Sequence, residues 1–162
     1  HVDDAASIDV AATALTSIKE ASDARRAYIT STVQQRLHQR RFRERVLDAY
    51  RSQCAFCRLR HRELLDAAHI IPDRLAEGVP TIKNGMALCK LHHAAFDSFM
   101  IGVRPDYVLR VRQDVLEEED GPVLLHGLQE LDGKRLILPR SEANWPSPEF
   151  LDWRYGRFLK AA

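Results

Sequence analysis

Two pairs, Cys54-x-x-Cys57 and Cys89-x-x-His92, constrain this 162-residue chain more than anything else in it. Each spacing lets one short knuckle offer two side chains to a tetrahedral ion, and together the pairs form a Cys3His set suited to zinc. The 31 residues between Cys57 and Cys89 are too many for a simple ribbon, so the knuckles must close around an intervening hairpin. All three cysteines are consumed, which accounts for the odd count. The competing reading is three buried cysteines without a ligand. A site with four protein ligands has no open position, so the ion is structural and any chemistry must lie elsewhere.

Composition narrows the rest. With 45% hydrophobic and 29% charged residues and only 7 Gly and 7 Pro, the chain is not collagen-like, of low complexity or mostly disordered, and its length suits one main domain. No apolar run approaches the ~18 residues of a membrane span. The first ten residues, HVDDAASIDV, lack a basic segment followed by an apolar one, so the expected location is the cytoplasm. The net charge of +1 hides a segregation: residues 24–62 hold eleven Arg, no Lys and two acids, a local +9. Arg36, Arg40, Arg41, Arg43, Arg58 and Arg60 are the candidate phosphate contacts, since the guanidinium fork suits phosphate oxygens. A solvated surface is the alternative.

No Gly or Pro occurs before Pro72, so the first part of the chain is predicted to be helical. A thin apolar stripe, Ile8, Leu15, Ile18 and Tyr28, marks one helix over about 8–28. Ser31 and Gln34 form a capping box that opens a second, carrying Val33, Leu37, Phe42, Val46, Leu47 and Tyr50 to about Arg51. The domain reading is thus an N-terminal helical extension or linker over 1–31 and a main domain over 32–162. Beyond the first knuckle come a strand over Glu63–Ile71, an irregular loop over Asp73–Asn84, a strand over Met86–Leu88 and a helix over Lys90–Phe99. Alternation predicts a strand over Val108–Val115, and Leu136–Leu138 is a further β candidate after the Asp132-Gly133 turn. Ser147-Pro148-Glu149 opens a terminal helix reaching about Leu159.

Between and around the knuckles stand LDAAHIIP (Leu65–Pro72) and NGMALCKLHHAAFD (Asn84–Asp97). Here the chain resembles the HNH nuclease family, in its zinc-bearing branch, over about residues 42–100. His69, Asn84 and His93 match the family's His, Asn and His at intervals of 15 and 9 residues. The resemblance implies an α+β fold. Its ββα-metal core, about 52–100, would be bracketed by the Cys3His site and flanked by N-terminal helices, a C-terminal β segment and a terminal helix. It also implies that Asn84 braces the backbone near His69.

Phosphodiester hydrolysis needs a base for water, a Lewis acid and stabilisation of the departing oxygen. His69, at a strand end, can be the base. His93 and Asp97 are i and i+4 on one helix and can hold one divalent ion, Mg2+ or Mn2+ or another transition metal. His92 points about 100° away around the helix and belongs to the zinc. Many family members place a metal ligand immediately before the base, but this chain has Ala68 there. Asp66, two residues earlier on the same strand face, could replace it, or could be a surface carboxylate or a partner that orients a histidine. His1, His38, His61 and His126 have no partners at ligand spacing, and Trp145 and Trp153 read as packing residues.

The expected function is a metal-dependent DNA endonuclease with a one-metal mechanism, similar to the catalytic domain of restriction endonucleases, including modification-dependent ones. The alternative is a catalytically inactive, zinc-stabilised nucleic-acid-binding module. DNA is the expected partner, with a separate DNA-recognition domain fused in a longer protein. A homodimer is expected through Ile8, Leu15 and Ile18, since a duplex break needs two sites; the alternative is a helix folded back on its own core.

Overall fold

The computed structural model describes the backbone of residues 3–75 and 77–161, and the side chains of residues 9–75 and 77–161. The chain forms two compact units, His1–Arg40 and Arg41–Ala162. In the first unit the backbone is helical, part of helix α1 (Asp3–Ala49). Its apolar side chains Val10, Leu15, Ile18, Tyr28, Ile29, Val33 and Leu37 are all exposed, and the Ile8 side chain lies outside the described residues. The two helices read from the sequence are therefore one. A capping box requires Ser31 to leave helical geometry, and nothing nearby forces that: no Gly or Pro interrupts the run, and the Thr32 hydroxyl bonds back to the Tyr28 carbonyl at 2.9 Å.

The second unit is built on the last turns of α1, where Phe42, Val46, Leu47 and Tyr50 are buried. Beside them strands β1 (Leu65–His69) and β2 (Gly85–Cys89) pair antiparallel, from Leu65 opposite Cys89 to His69 opposite Gly85. Helix α2 (Lys90–Asp97) follows β2 without a loop, so the unit is strand, strand, helix, as expected. Gly85 permits the close approach of α1: a Cβ there would stand 2.6 Å from Val46 and 2.9 Å from the Phe42 ring. The core runs from these residues through Leu65, Ile70, Met86, Leu88 and Phe96 to Ile101, Leu109 and Leu151.

The C-terminal part departs from the sequence reading. Strand β3 (Ile101–Val103) pairs with β4 (Leu109–Val111), so the alternating stretch Val108–Val115 is strand only at its start. Helix α3 (Gln113–Leu116) follows at once. Leu136–Leu138 forms no strand; a single bridge joins Val108 to Arg135, and Ile137 donates instead to the Ala55 carbonyl at 2.9 Å. Helix α4 (Pro122–Gly127), with Pro in its first turn, was not read from the sequence. Helix α5 (Pro148–Ala161) starts where Ser147-Pro148 predicts and buries Leu151, Arg154 and Phe158. Gly102 of β3 admits it, since a Cβ there would sit 2.6 Å from the Phe158 ring.

Candidate metal centres and nuclease site

The first knuckle, the end of β2 and the first turn of α2 bring Cys54, Cys57, Cys89 and His92 together, with all four ligand atoms within 4.8 Å of one another. His92 Nδ1 lies 3.4 Å from Cys54 Sγ and 3.2 Å from Cys89 Sγ. A tetrahedral zinc, with Zn–S near 2.3 Å and Zn–N near 2.1 Å, separates its donors by about 3.6 Å, so the cluster fits that ion. His92 Nε2 lies 2.7 Å from the Gly127 carbonyl, which can only accept; the proton is therefore on Nε2 and the Nδ1 lone pair faces the sulfurs. Hydrogen bonds from Cys54 and Cys57 draw the Cys89 thiol well below its ordinary range, while the same cluster pushes Cys57 up.

His69 closes β1 on the wall of a cavity of about 430 Å³ lined also by Asp73, Arg74, His93, Asp97, Phe99, Trp153, Arg154 and Arg157 among others. Its ring stacks on Phe42, with centroids 4.1 Å apart. Burial pulls its pKa below the ordinary value, Asp73 and Asp97 opposing and His93 adding to the effect. A histidine kept neutral can accept a proton near pH 7.

His93 stands between two carboxylates: Nδ1 is 3.2 Å from Asp66 Oδ2, and Nε2 is 3.3 Å from Asp97 Oδ2. In a neutral imidazole, the Nδ1–H donated to Asp66 leaves a lone pair on Nε2 facing a carboxylate oxygen, two acceptors that a cation would bridge. Donors at about 2.1 Å from an octahedral ion and at right angles lie about 3 Å apart, so the pair fits a hard divalent ion. Asp66 also accepts from Lys90 Nζ at 2.5 Å. Burial opposes its ionisation, but the bonds from Lys90 and His93 prevail and hold its carboxyl below the usual range. Of the roles left open for Asp66, the structure shows the contact of a partner that orients a histidine. Ala68, one step before His69, is fully buried.

Asn84, expected among the catalytic residues, is fully buried and is not part of the cavity wall. Its Oδ1 accepts from Ile71 N at 2.8 Å, and its Nδ2 donates to the carbonyls of Ile71 (2.9 Å) and Val79 (3.0 Å). It ties the chain leaving His69 to the chain entering β2. Among the arginines, Arg36, Arg40, Arg41, Arg58 and Arg60 are exposed. Arg43 corrects the expectation: its Nη2 donates to the carbonyls of Arg62 (3.1 Å) and Leu65 (3.0 Å), so the fork is spent inside the fold.

Three features were missed. Phe42 looked like one more apolar residue of a helical stripe. Gly127 holds a zinc ligand through its carbonyl, which carries no sequence signal. Arg154 and Arg157, i and i+3 on α5, and Trp153 bring the terminal helix to the cavity; their helical spacing was the available signal.

Residues 54–104 match a family described as HNH endonuclease. No curated protein matches the chain. Among solved structures, one described as "Modification dependent TagI restriction endonuclease" is similar over 72% of this chain and 37% of its own length, with 16% identity and a TM-score of 0.48. This chain thus spans little more than a third of the length of that protein. Residues 54–104, which hold the hairpin, helix α2 and the Cys3His cluster, are thus the part of the chain that matches the HNH endonuclease family.

Proposed function

We propose that the chain is a metal-dependent DNA endonuclease that hydrolyses phosphodiester bonds with one divalent ion. The observation that carries this reading is His93, fixed through Nδ1 by Asp66 and facing Asp97 through Nε2, on the same cavity wall as His69. His69 takes the proton from the attacking water. His93 Nε2 and Asp97 hold the ion, Mg2+, Mn2+ or another divalent transition metal, which when bound would polarise the phosphoryl oxygens. Asp66 orients His93, and Asn84 sets the backbone that carries His69. Zn2+ at Cys54, Cys57, Cys89 and His92 keeps hairpin and helix together.

The resemblance of the zinc-bracketed motif to HNH domains of restriction endonucleases supports a restriction role, with a separate recognition domain supplying specificity, in the cytoplasm of a prokaryote. No helix among the described residues is long and apolar enough to cross a membrane. The exposed side chains Leu15 and Ile18 support a homodimer through α1. One observation favours the second reading, an inactive DNA-binding module: the buried Ala68 offers no donor where many relatives have one. Incubation of supercoiled plasmid with the chain and either Mg2+ or Mn2+ decides between them. Nicking that His69→Ala abolishes supports the endonuclease; retarded but intact plasmid supports the module.

A further inference from the structure

Helix α5 lies outside the matched stretch 54–104, yet it supplies Trp153, Arg154 and Arg157 to the cavity that holds His69, His93 and Asp97. Arg154 is only 5% exposed. Its guanidinium carbon sits 4.4 Å from the Phe96 ring centroid and 4.4 Å from that of Phe99, between two aromatic faces. Nη2 donates to the Phe96 carbonyl at 2.9 Å, while Nε is buried with no partner. The carboxylate facing it is Asp97, at 3.8 Å, whose other oxygen already faces His93. A buried cation needs full pairing, and this one has a carbonyl and a share of one exposed carboxylate.

The cage is also held against backbone preference. Helix α2 ends in a Schellman motif, with Met100 N bonded to the Ala95 carbonyl and Phe99 N to the Phe96 carbonyl. Phe99 occupies its left-handed position at φ 57°, where glycine is usual. Its ring reaches Arg154 from there. One turn further along α5, the guanidinium carbon of Arg157 lies over Trp153, 3.2 Å from the ring centroid, and Nη1 donates to the Trp153 carbonyl at 3.1 Å. Two guanidinium groups, oriented before any ligand arrives, border a cavity that also holds the proposed base and metal ligands.

We propose that Arg154 and Arg157 form a phosphate subsite for the DNA backbone, so that α5 is a working wall of the nuclease site. Arg154 adjoins Asp97 and takes the phosphate that reaches the ion; Arg157 takes the next phosphate along the strand. The proposal rests on the endonuclease reading and deepens it. Its test is binding of a short DNA duplex to the full zinc-loaded chain carrying His69→Ala, with no other divalent ion added, followed by fluorescence anisotropy over a range of salt. Arg154→Met and Arg157→Met should each weaken binding and reduce the slope of log affinity against log salt by about 0.9, the loss of one phosphate contact. A purely structural role would leave that slope unchanged in folded protein. Unchanged slopes in both variants overturn the proposal, as does an equal loss from Arg135→Met, an exposed arginine that does not line the cavity. If circular dichroism shows Arg154→Met unfolded, Arg157→Met decides alone by the same criterion. Plasmid nicking by the wild type tests the endonuclease reading separately, so a nicking enzyme with unchanged slopes refutes only the subsite.

Discussion

The ring of Phe42 lies flat against the imidazole of His69, centroids 4.1 Å apart and planes 15° from parallel. One face of the proposed base is thereby closed to water. Burial disfavours the imidazolium, which is why the pKa of His69 falls below its ordinary 6.5.

The acid limb of the cleavage rate is therefore expected below pH 6.5. Phe42→Leu should move it upward, toward the ordinary value, because water reaches the ring; a pH–rate profile measured on both proteins checks this. The sign for stability agrees. Unfolded His69 takes up a proton more readily than the folded form, so this contribution is complete above 6.5 and is lost as pH falls through the folded value. A limb that stays in place in Phe42→Leu would remove Phe42 from any role in tuning His69.

Zinc removal is expected to unfold the hairpin and α2, since structural zinc contributes on the order of 10 kcal/mol of apparent binding energy at neutral pH. Metal analysis of folded protein should give one zinc per chain. Circular dichroism that is unchanged after treatment with a strong chelator would show that the Cys3His cluster does not hold the fold.

Asp66→Asn should act on the ion without touching it. The amide can still meet His93 but supplies no charge, and loss of such a supporting contact typically costs about 10–100-fold in metal affinity or activity. Half-maximal cleavage should move to a higher Mn2+ concentration with the rate at saturating metal nearly restored. His69→Ala should instead lower the rate by about 10²–10⁴-fold at every metal concentration. Identical metal titrations of Asp66→Asn and wild type would refute the orienting role.

Asn84→Ala leaves three backbone groups, Ile71 N, Ile71 O and Val79 O, without their partner. At roughly 1 kcal/mol or more for each of the two groups of buried Ile71, and less for the carbonyl of exposed Val79, which water can reach, about 2 kcal/mol of stability should be lost. The urea midpoint measures it. A midpoint within error of wild type would contradict a bracing function.

Arg43 and Arg41, two residues apart, should respond in opposite ways. Arg43→Ala exposes the carbonyls of Arg62 and Leu65 and should lower the melting temperature with little change in the salt dependence of DNA binding. Arg41→Ala, at an exposed position, should leave melting unchanged and reduce the slope by about 0.9 if it meets a phosphate. The reverse pattern would reassign both residues.

Ligand spacing and helical periodicity made the centre of this fold legible in advance. Cys54, Cys57, Cys89 and His92 can meet only if a hairpin and a helix close on one another, and β1, β2 and α2 do so within two or three residues of the expected bounds. The two histidines were separable because adjacent helical residues diverge by about 100°. Less was legible where the signal is a contact and not a pattern. Phe42 reads as one more core residue until β1 lays His69 on it, and no sequence rule places the Gly127 carbonyl against His92. The alternation of Val108–Val115 failed as a strand because the Arg112 carbonyl accepts from Val115 N and Leu116 N, which turns the chain into α3. At Ser31 a capping signal was present and unused, since a local preference of about 1 kcal/mol does not break a helix that nothing else interrupts.

His92 and His93 are consecutive on α2, one turned to the Gly127 carbonyl and the sulfurs, the other to Asp66 and Asp97. The proposed zinc set and the proposed catalytic set are thus phased by a single step of one helix. An inserted or deleted residue between Cys89 and His92 would rotate the following side chains by about 100° and misalign both sets together, whereas a point substitution at His93 spares the zinc cluster. Insertion scanning along this turn would read out the phase as a simultaneous loss of folding and of cleavage, and substitution scanning would separate the two.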